Sequence, residues 1–318
     1  MRDIVIVLGS GLMGSGIAAC GSLAGNRTVL IDLDLERAEK GKANAIANID
    51  ELVANELATK EAGSRAKELL SVDTDYKKYA DTAFMVIEAV IENIELKQKV
   101  FAELDAVFPP EVALLSNTSG LRITDIAKLV KHPERTLTTH FWFPAHLVPL
   151  VEVVVGDKSS RDLAVKIKGI LCDWGKSAIV VNRDLPGQLA NRVLQAVIRE
   201  AMNIVEIGLA SPEDVDTAIK AGMGIRLPVW GPLEHIEAVG LDLCLKVQQS
   251  VLPEISNSTT ASPFMEKLVK EGRLGYKTGS GFYDWSRKDM DSLVVLRNRF
   301  IIEARKIMQS QQSKREGQ

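Results

Sequence analysis

The pattern of apolar positions changes partway along the chain. Up to about residue 181, short runs rich in Val and Ile alternate with longer stretches whose apolar residues recur at helical spacing. Runs of the first kind bury strands, and stretches of the second kind bury one face of a helix. Strands are predicted at 4–8, 28–32, 84–90, 112–116, 136–139, 149–155 and 177–181. Helices are predicted at 12–24, over most of 35–70, and at 94–107 and 161–175. Strands separated by helices argue for a parallel sheet wound on both faces. After the polar run 182–187 the strand pattern ends, and helical periodicity takes over from Leu189 to Ile207 and onward. Pro186-Gly187 is a natural break. The expected architecture is α/β: a doubly wound sheet over 1–185, followed by an all-helical domain over 186–318. From Gln309 on no large apolar residue occurs, so a polar tail is expected to fray.

The remaining bulk features exclude several classes. No 20–50-residue repeat suggests a solenoid. With 46% hydrophobic and 25% charged residues, the chain has the composition of a globular protein and not of a disordered one. Lys and Arg number 39 against 42 Asp and Glu, so the net charge of −3 offers no basic field to nucleic acid or an anionic membrane. The apolar run 83–90 is interrupted by Glu88 and is far short of the ~20 residues that span a bilayer. Met1-Arg2-Asp3 leads straight into a strand, not a leader pattern, so a cytoplasmic location is expected. Cys20, Cys172 and Cys244 form no CxxC pair; they read as buried free thiols, with no disulfide framework and no metal site.

Two constellations carry chemistry. Gly9-Ser10-Gly11-Leu12-Met13-Gly14 matches GxGxxG between a strand and a small-residue helix. The first glycine permits the turn, the second lets backbone approach a pyrophosphate, and the third lets helix and strand pack closely. Asp32 ends the next strand, where its carboxylate accepts from a ribose diol and repels a 2′-phosphate, favouring NAD over NADP. The second constellation centres on His140, expected just after a strand at the sheet's C-terminal edge, and Glu152, inside an apolar strand. A carboxylate buried there needs a partner, and an imidazolium suits it. By residue type alone, a structural His beside a surface-facing Glu is the alternative. Ser116-Asn117-Thr118-Ser119-Gly120 ends another strand at the same edge, and Asn191 opens the first helix after the break. A turn or helix cap is the plain reading of each.

The ordered motifs GSGLMGSGIA (9–18), IEAVIEN (87–93), SNTSGL (116–121), HFWFP (140–144), VEV (151–153), DLPGQLANR (184–192) and GYKTGSGFYDW (275–285) resemble the L-3-hydroxyacyl-CoA dehydrogenase family. The resemblance implies a Rossmann-like NAD-binding domain over 1–185 and a helical substrate and dimerisation domain over 186–318. It implies a place in fatty acid metabolism and a homodimer. It places the catalytic base on His140, its orienting carboxylate on Glu152, and substrate-binding, polarising roles on Ser119 and Asn191. The implied cofactor contacts are Gly9, Gly11, Leu12, Met13, Gly14, Asp32, Glu92, Lys97, Asn117 and Lys277. In the implied reaction His140 takes a proton from a secondary alcohol as hydride leaves to the nicotinamide.

Three departures bear on the substrate. Phe143 stands where acyl-CoA enzymes of the family usually carry Asn. The stretch 48–58, which in the family helps to bind CoA, holds Asp50, Glu51 and Glu56 and no Lys or Arg, with Asn55 at the family's CoA-contacting lysine. The segment 222–234 is longer and contains Arg226, as in the branch with L-gulonate 3-dehydrogenase (λ-crystallin-like), carnitine dehydrogenase and a pyridine-carboxylate dehydrogenase. Those enzymes act on free acids, and Arg226 suits a two-pronged bond to a carboxylate. A surface or interface arginine is the alternative. The expectation is therefore an NAD-dependent oxidoreductase for a small β-hydroxy carboxylic acid. The competing readings are a short-chain 3-hydroxyacyl-CoA dehydrogenase and a non-catalytic, crystallin-like structural protein.

Overall fold

Eight strands form one sheet: β1 (Ile4–Leu8), β2 (Arg27–Ile31), β3 (Leu70–Asp73), β4 (Ala83–Glu88), β5 (Ala113–Ser116), β6 (Thr136–Phe141), β7 (Leu150–Val154) and β8 (Ser177–Val181), in the order β3-β2-β1-β4-β5-β6-β7-β8. The computed structural model describes residues 2–316, with side chains to residue 310. Along β1, Val5 and Val7 enter one hydrophobic core, and Ile4 and Ile6 enter the other. Successive residues of a strand face opposite ways, so a strand apolar throughout must be covered on both sides. The first face is covered by α1 (Leu12–Leu23), α2 (Leu35–Ala54), α3 (Lys60–Leu69) and α6 (Arg161–Asp173). The second is covered by α4 (Ile94–Val107), through Phe101 and Leu104, and by the short α5 (Ile123–Ile126). Strand order reverses at the neighbours β1 and β4, which opens a crevice at their C-terminal ends.

The sheet differs from the expected all-parallel arrangement on one side. β7 runs antiparallel to β6, and β8 runs parallel to β7. β3, a four-residue strand on the sheet's edge, was not expected; it follows α3 directly and pairs with β2. His140 lies inside β6 and not after it, because Thr139, His140 and Phe141 continue the ladder.

The chain forms two units, one of residues up to Ala190 together with those from Asn298, the other Asn191–Arg297. The sequence expectation assigned everything from 186 onward to the helical domain. The second unit contains most of α7 (Ala190–Glu206), then α8 (Pro212–Ala218), α9 (Pro232–Val239), α10 (Leu241–Val251) and α11 (Pro263–Lys270). α12 (Met290–Glu316) begins there and ends in the first unit, where Ile302 packs with Leu52 and Leu147. The polar stretch from Gln309, expected to fray, continues α12 as helix to Glu316; residues 317 and 318 lie outside the described residues. No helix among the described residues is long and apolar enough to cross a membrane. All three cysteines are free, but only Cys20 is buried; Cys172 is exposed and Cys244 intermediate.

Candidate active site

At the end of β1 the chain turns through Gly9, whose φ of +100° favours glycine and whose missing Cβ would lie 2.7 Å from the Ala89 carbonyl oxygen. A Cβ on Gly14 would fall 1.8 Å from the Gly9 carbonyl oxygen, so this contact between helix and turn requires glycine. Gly11 differs, because a Cβ there would meet nothing within 4 Å. It caps α1 without a side-chain hydrogen bond, and the first turn, with Leu12 exposed and Met13 partly packed in the core, holds no acidic residue. This open helix N-terminus has the orphan N–H groups and positive dipole end that a pyrophosphate takes.

Asp32 follows β2 beside this turn. Its Oδ2 accepts from the Ser10 N–H at 2.8 Å and the Ser10 hydroxyl at 2.5 Å, and its Oδ1 accepts from the Leu33 N–H at 2.8 Å. Burial alone would raise this carboxyl; the bonds from Ser10 and Leu33 outweigh it and hold the group below the ordinary carboxylate range. A carboxylate has about four acceptor positions, so capacity remains for a ribose hydroxyl. The open helix end and the half-buried anion fit a dinucleotide with an unphosphorylated ribose.

A buried ionic network joins β4, α4 and the loop after β5. Glu88 and Lys97 are 0% and 1% exposed, with Lys97 Nζ 2.5 Å from Glu88 Oε1. Glu88 also accepts from the Val90 N–H at 2.7 Å and from the Ser116 hydroxyl at 2.7 Å. Lys97 lies 3.4 Å from Glu92. Glu92 Oε1 accepts from the Thr118 hydroxyl at 2.5 Å and from the N–H groups of Ser119 and Gly120 at 3.2 Å each. The Lys97 ammonium is thus enclosed, and Glu92 fixes the loop that carries Ser119. Asn117 is engaged too, its Oδ1 accepting from the Phe141 N–H at 2.9 Å, which ties the Ser119 loop to the end of β6.

The antiparallel register of β6 and β7 pairs His140 directly with Glu152. His140 Nδ1 lies 2.9 Å from Glu152 Oε2, and Trp142 Nε1–H donates to the same oxygen at 3.1 Å. The other oxygen, Oε1, accepts from the N–H groups of Leu189 and Ala190 at 2.9 Å each, where the linker enters α7. Glu152 is fully buried. Burial would raise its carboxyl, yet the bonds from His140, Ala190, Trp142 and Leu189 overcome that and hold it at about 2. An anion of that strength keeps a proton on His140 Nδ1 and leaves Nε2 as the ring's acceptor. Gln188 steadies the linker by donating to the Thr118 carbonyl oxygen at 2.9 Å.

Ser119, Asn117, Glu92, His140 and Glu152 are therefore brought together in the first unit, which also carries the Gly9–Asp32 cradle. Asn191, Arg226 and Lys277 belong to the second unit. Asn191 directly follows Ala190, the residue whose N–H holds Glu152. Arg226 is exposed just after a π-helical turn at Ile219–Gly224, and Lys277 lies in the turn Tyr276–Thr278. Phe143 is half exposed. The acidic stretch is not a bare acidic face: Asp50 pairs with Lys67 at 2.6 Å, Glu51 with His146 at 2.7 Å, and Glu56 with Lys306 at 3.7 Å. Of the other histidines, His132 is exposed beside Glu134, and His235 lies near Trp230.

Sequence reasoning missed Trp142. Its indole competes with His140 for Oε2 and drains charge from the carboxylate. Trp142→Phe removes one of the four bonds that hold the Glu152 carboxyl at about 2. It is expected to cost about 1.5 to 3 kcal/mol of stability, read as a lower urea midpoint. An unchanged midpoint shows that the indole bond contributes nothing.

Together the cradle, the acidic strand end and the buried imidazole–carboxylate pair define a dinucleotide-dependent α/β dehydrogenase. Residues 4–185 match the model of the 3-hydroxyacyl-CoA dehydrogenase NAD binding domain, and residues 187–285 match that of the 3-hydroxyacyl-CoA dehydrogenase C-terminal domain. The chain belongs to the 3-hydroxyacyl-CoA dehydrogenase family, as an NAD-dependent dehydrogenase acting on hydroxyl groups. It is 30% identical to a 5-formyl-3-hydroxy-2-methylpyridine 4-carboxylate 5-dehydrogenase of Mesorhizobium japonicum, over 98% of this chain and 100% of that one. It is 36% identical to a probable 3-hydroxybutyryl-CoA dehydrogenase of Bacillus subtilis, over 89% of this chain and 98% of that one. A crystal structure of a 5-formyl-3-hydroxy-2-methylpyridine 4-carboxylic acid 5-dehydrogenase superposes with a TM-score of 0.88 at 29% identity, covering 97% of this chain and 99% of that one.

Proposed function

We propose that this chain reversibly oxidises the secondary alcohol of a small β-hydroxy carboxylic acid to the ketone. The observation that carries this reading is the buried His140–Glu152 pair at 2.9 Å, with the ring's second nitrogen left to meet a substrate hydroxyl. NAD, when bound, supplies the hydride acceptor. His140 Nε2 takes the hydroxyl proton, and Glu152 holds the ring and offsets its positive charge. In the reverse direction the imidazolium returns that proton and stabilises the developing oxyanion. Ser119 and Asn191 orient and polarise the reacting oxygen. Gly9, Gly11, Leu12, Met13 and Gly14 receive the pyrophosphate, Asp32 the ribose, and Asn117, Glu92, Lys97 and Lys277 complete the cofactor side. Lys97 acts there through the acids it holds.

A free acid is favoured over a CoA thioester for two reasons. Arg226 is an exposed guanidinium without a carboxylate partner among the described residues. The pyridine-carboxylate relative also aligns over nearly the whole chain, the CoA relative over less of it. The acidic stretch, with Asp50 and Glu56 paired to lysines, adds less weight. The test is a screen of free β-hydroxy acids and their CoA esters, read by NADH absorbance. Arg226→Met is expected to raise KM for the free acid by at least about tenfold, the loss of a charge-assisted bond, with NAD affinity unchanged. Efficient oxidation of 3-hydroxybutyryl-CoA with no activity on any free acid assigns the chain to the thioester branch instead.

A homodimer through the second unit belongs to the same reading. α7, α9 and α10 bury no residue, and Leu241, Leu245 and Val247 on α10 are exposed. Apolar faces of that extent are interaction surfaces. Light scattering of the intact chain is expected to give twice the 34.8 kDa chain mass, and a monomer rejects the assignment.

A further inference from the structure

Away from the catalytic pair, the first unit contains a cavity of about 270 Å³ lined by Cys20 of α1, Leu52 and Leu57 at the end of α2, Trp174 and Lys176 after α6, and Arg305 of α12. Lys176 is buried, and its Nζ donates to the carbonyl oxygens of Ala145 and Val148. Arg305 Nη1 donates to the carbonyl oxygens of His146 (2.8 Å) and Leu147 (3.3 Å). No other hydrogen bond of Arg305 occurs among the described residues, and no carboxylate there forms an ion pair with either cation. Glu51 is engaged by His146, and Asp173, also on the lining, is exposed. Burial lowers the proton affinity of Lys176 and of Arg305; neighbouring Cys20 opposes this at both, and the charge on Arg305 adds to the lowering at Lys176. Two like charges lining one cavity without an ion-paired carboxylate are costly, and a bound anion offsets that cost.

We propose that this cavity binds a small organic monocarboxylate, with its carboxylate between Arg305 and Lys176 and its hydrocarbon part against Leu52, Leu57 and Trp174. The free edge of a guanidinium matches a carboxylate, and the apolar walls suit a short chain better than inorganic phosphate. The site is separate from the phosphate cradle. Cys20 lies eight residues along α1 from Leu12, or about 12 Å at 1.5 Å per residue. The carbonyls gripped by both cations belong to the segment joining β6 to β7, so an occupant braces the connection between His140 and Glu152.

Cys20 places a reporter at the site. The full chain is treated in parallel with iodoacetate and with neutral iodoacetamide, and labelling is followed separately at Cys20 and at exposed Cys172 by peptide mass. The iodoacetate-to-iodoacetamide rate ratio is expected to be at least about tenfold higher at Cys20 than at Cys172, the scale of one charge-assisted bond. Millimolar butyrate is expected to slow carboxymethylation of Cys20 and leave Cys172 unaffected. Arg305→Met is expected to return the Cys20 ratio to that of Cys172. Equal ratios at the two thiols in the parent protein overturn the proposal. So does failure of both reagents to reach Cys20, since the cavity then admits no carboxylate. Protection by inorganic phosphate equal to that by butyrate rejects the organic carboxylate. The butyrate arm uses the parent protein alone, so the test survives a variant that folds poorly, and NADH turnover enters none of these readouts.

Discussion

Replacement of His140 by asparagine is expected to lower kcat for alcohol oxidation by about 10²- to 10⁴-fold, the usual contribution of a general base, while NAD binds as before. The geometry behind this is specific. Glu152 Oε2 fixes Nδ1 at 2.9 Å, so the proton-accepting work falls to Nε2, and an asparagine amide there cannot take a proton at neutral pH. The cradle around Gly9, Gly11 and Asp32 shares no hydrogen bond with this ring, so cofactor affinity, measured by quenching of intrinsic fluorescence, is expected to hold. Turnover within a few-fold of the parent would remove His140 from the mechanism. Glu152→Gln is a less direct probe. All four groups that meet its carboxylate donate, so a glutamine amide must turn its NH₂ toward His140 and Trp142 or toward the two linker N–H groups. That variant loses stability along with activity, and its rate is read only beside an unfolding curve.

What could be read in the sequence follows from how local each signal is. The GxGxxG turn is legible because its constraints lie within six residues, and the structure requires glycine at its first and third positions, Gly9 and Gly14. Glu152 was legible as a buried carboxylate because it interrupts Val151 and Val153. Its direct pairing with His140 depends on β7 running antiparallel, and strand direction leaves no trace in hydrophobic alternation. β3 escaped because four residues, Leu70–Asp73, directly follow a helix without a turn signal. The backbone donors of Leu189 and Ala190 have no side-chain signature and lie 37 and 38 residues beyond the oxygen they hold. Glu88 did announce itself by breaking the apolar run 83–90. A charge in a strand buried on both faces demands a partner, but Lys97 and Ser116 are supplied only when β4, α4 and β5 are assembled.

That assembly leads to a second large effect. Lys97→Met is expected to destabilise the protein by about 3 to 5 kcal/mol, the cost of stranding one member of a buried ion pair. Glu88 would keep only two neutral donors, the Val90 N–H and the Ser116 hydroxyl, in a position without solvent exposure. A loss of that size is a large share of the roughly 5 to 15 kcal/mol that separates most native states from unfolded chains. Urea unfolding measures it as a drop in the midpoint at constant slope. The double variant Lys97→Met with Glu88→Gln separates charge from packing. A glutamine at 88 accepts from the Val90 N–H with its oxygen and donates its NH₂ to the Ser116 hydroxyl, leaving no buried charge, so much of the stability is expected to return. Glu92 also loses its cation at 3.4 Å in the single variant but keeps Thr118, Ser119 and Gly120. The Ser119 loop is therefore expected to stay ordered enough for residual turnover below the unfolding midpoint. A single variant within about 1 kcal/mol of the parent, or a double variant no better than the single, would show that the pair is solvated in solution and not the enclosed bridge described above.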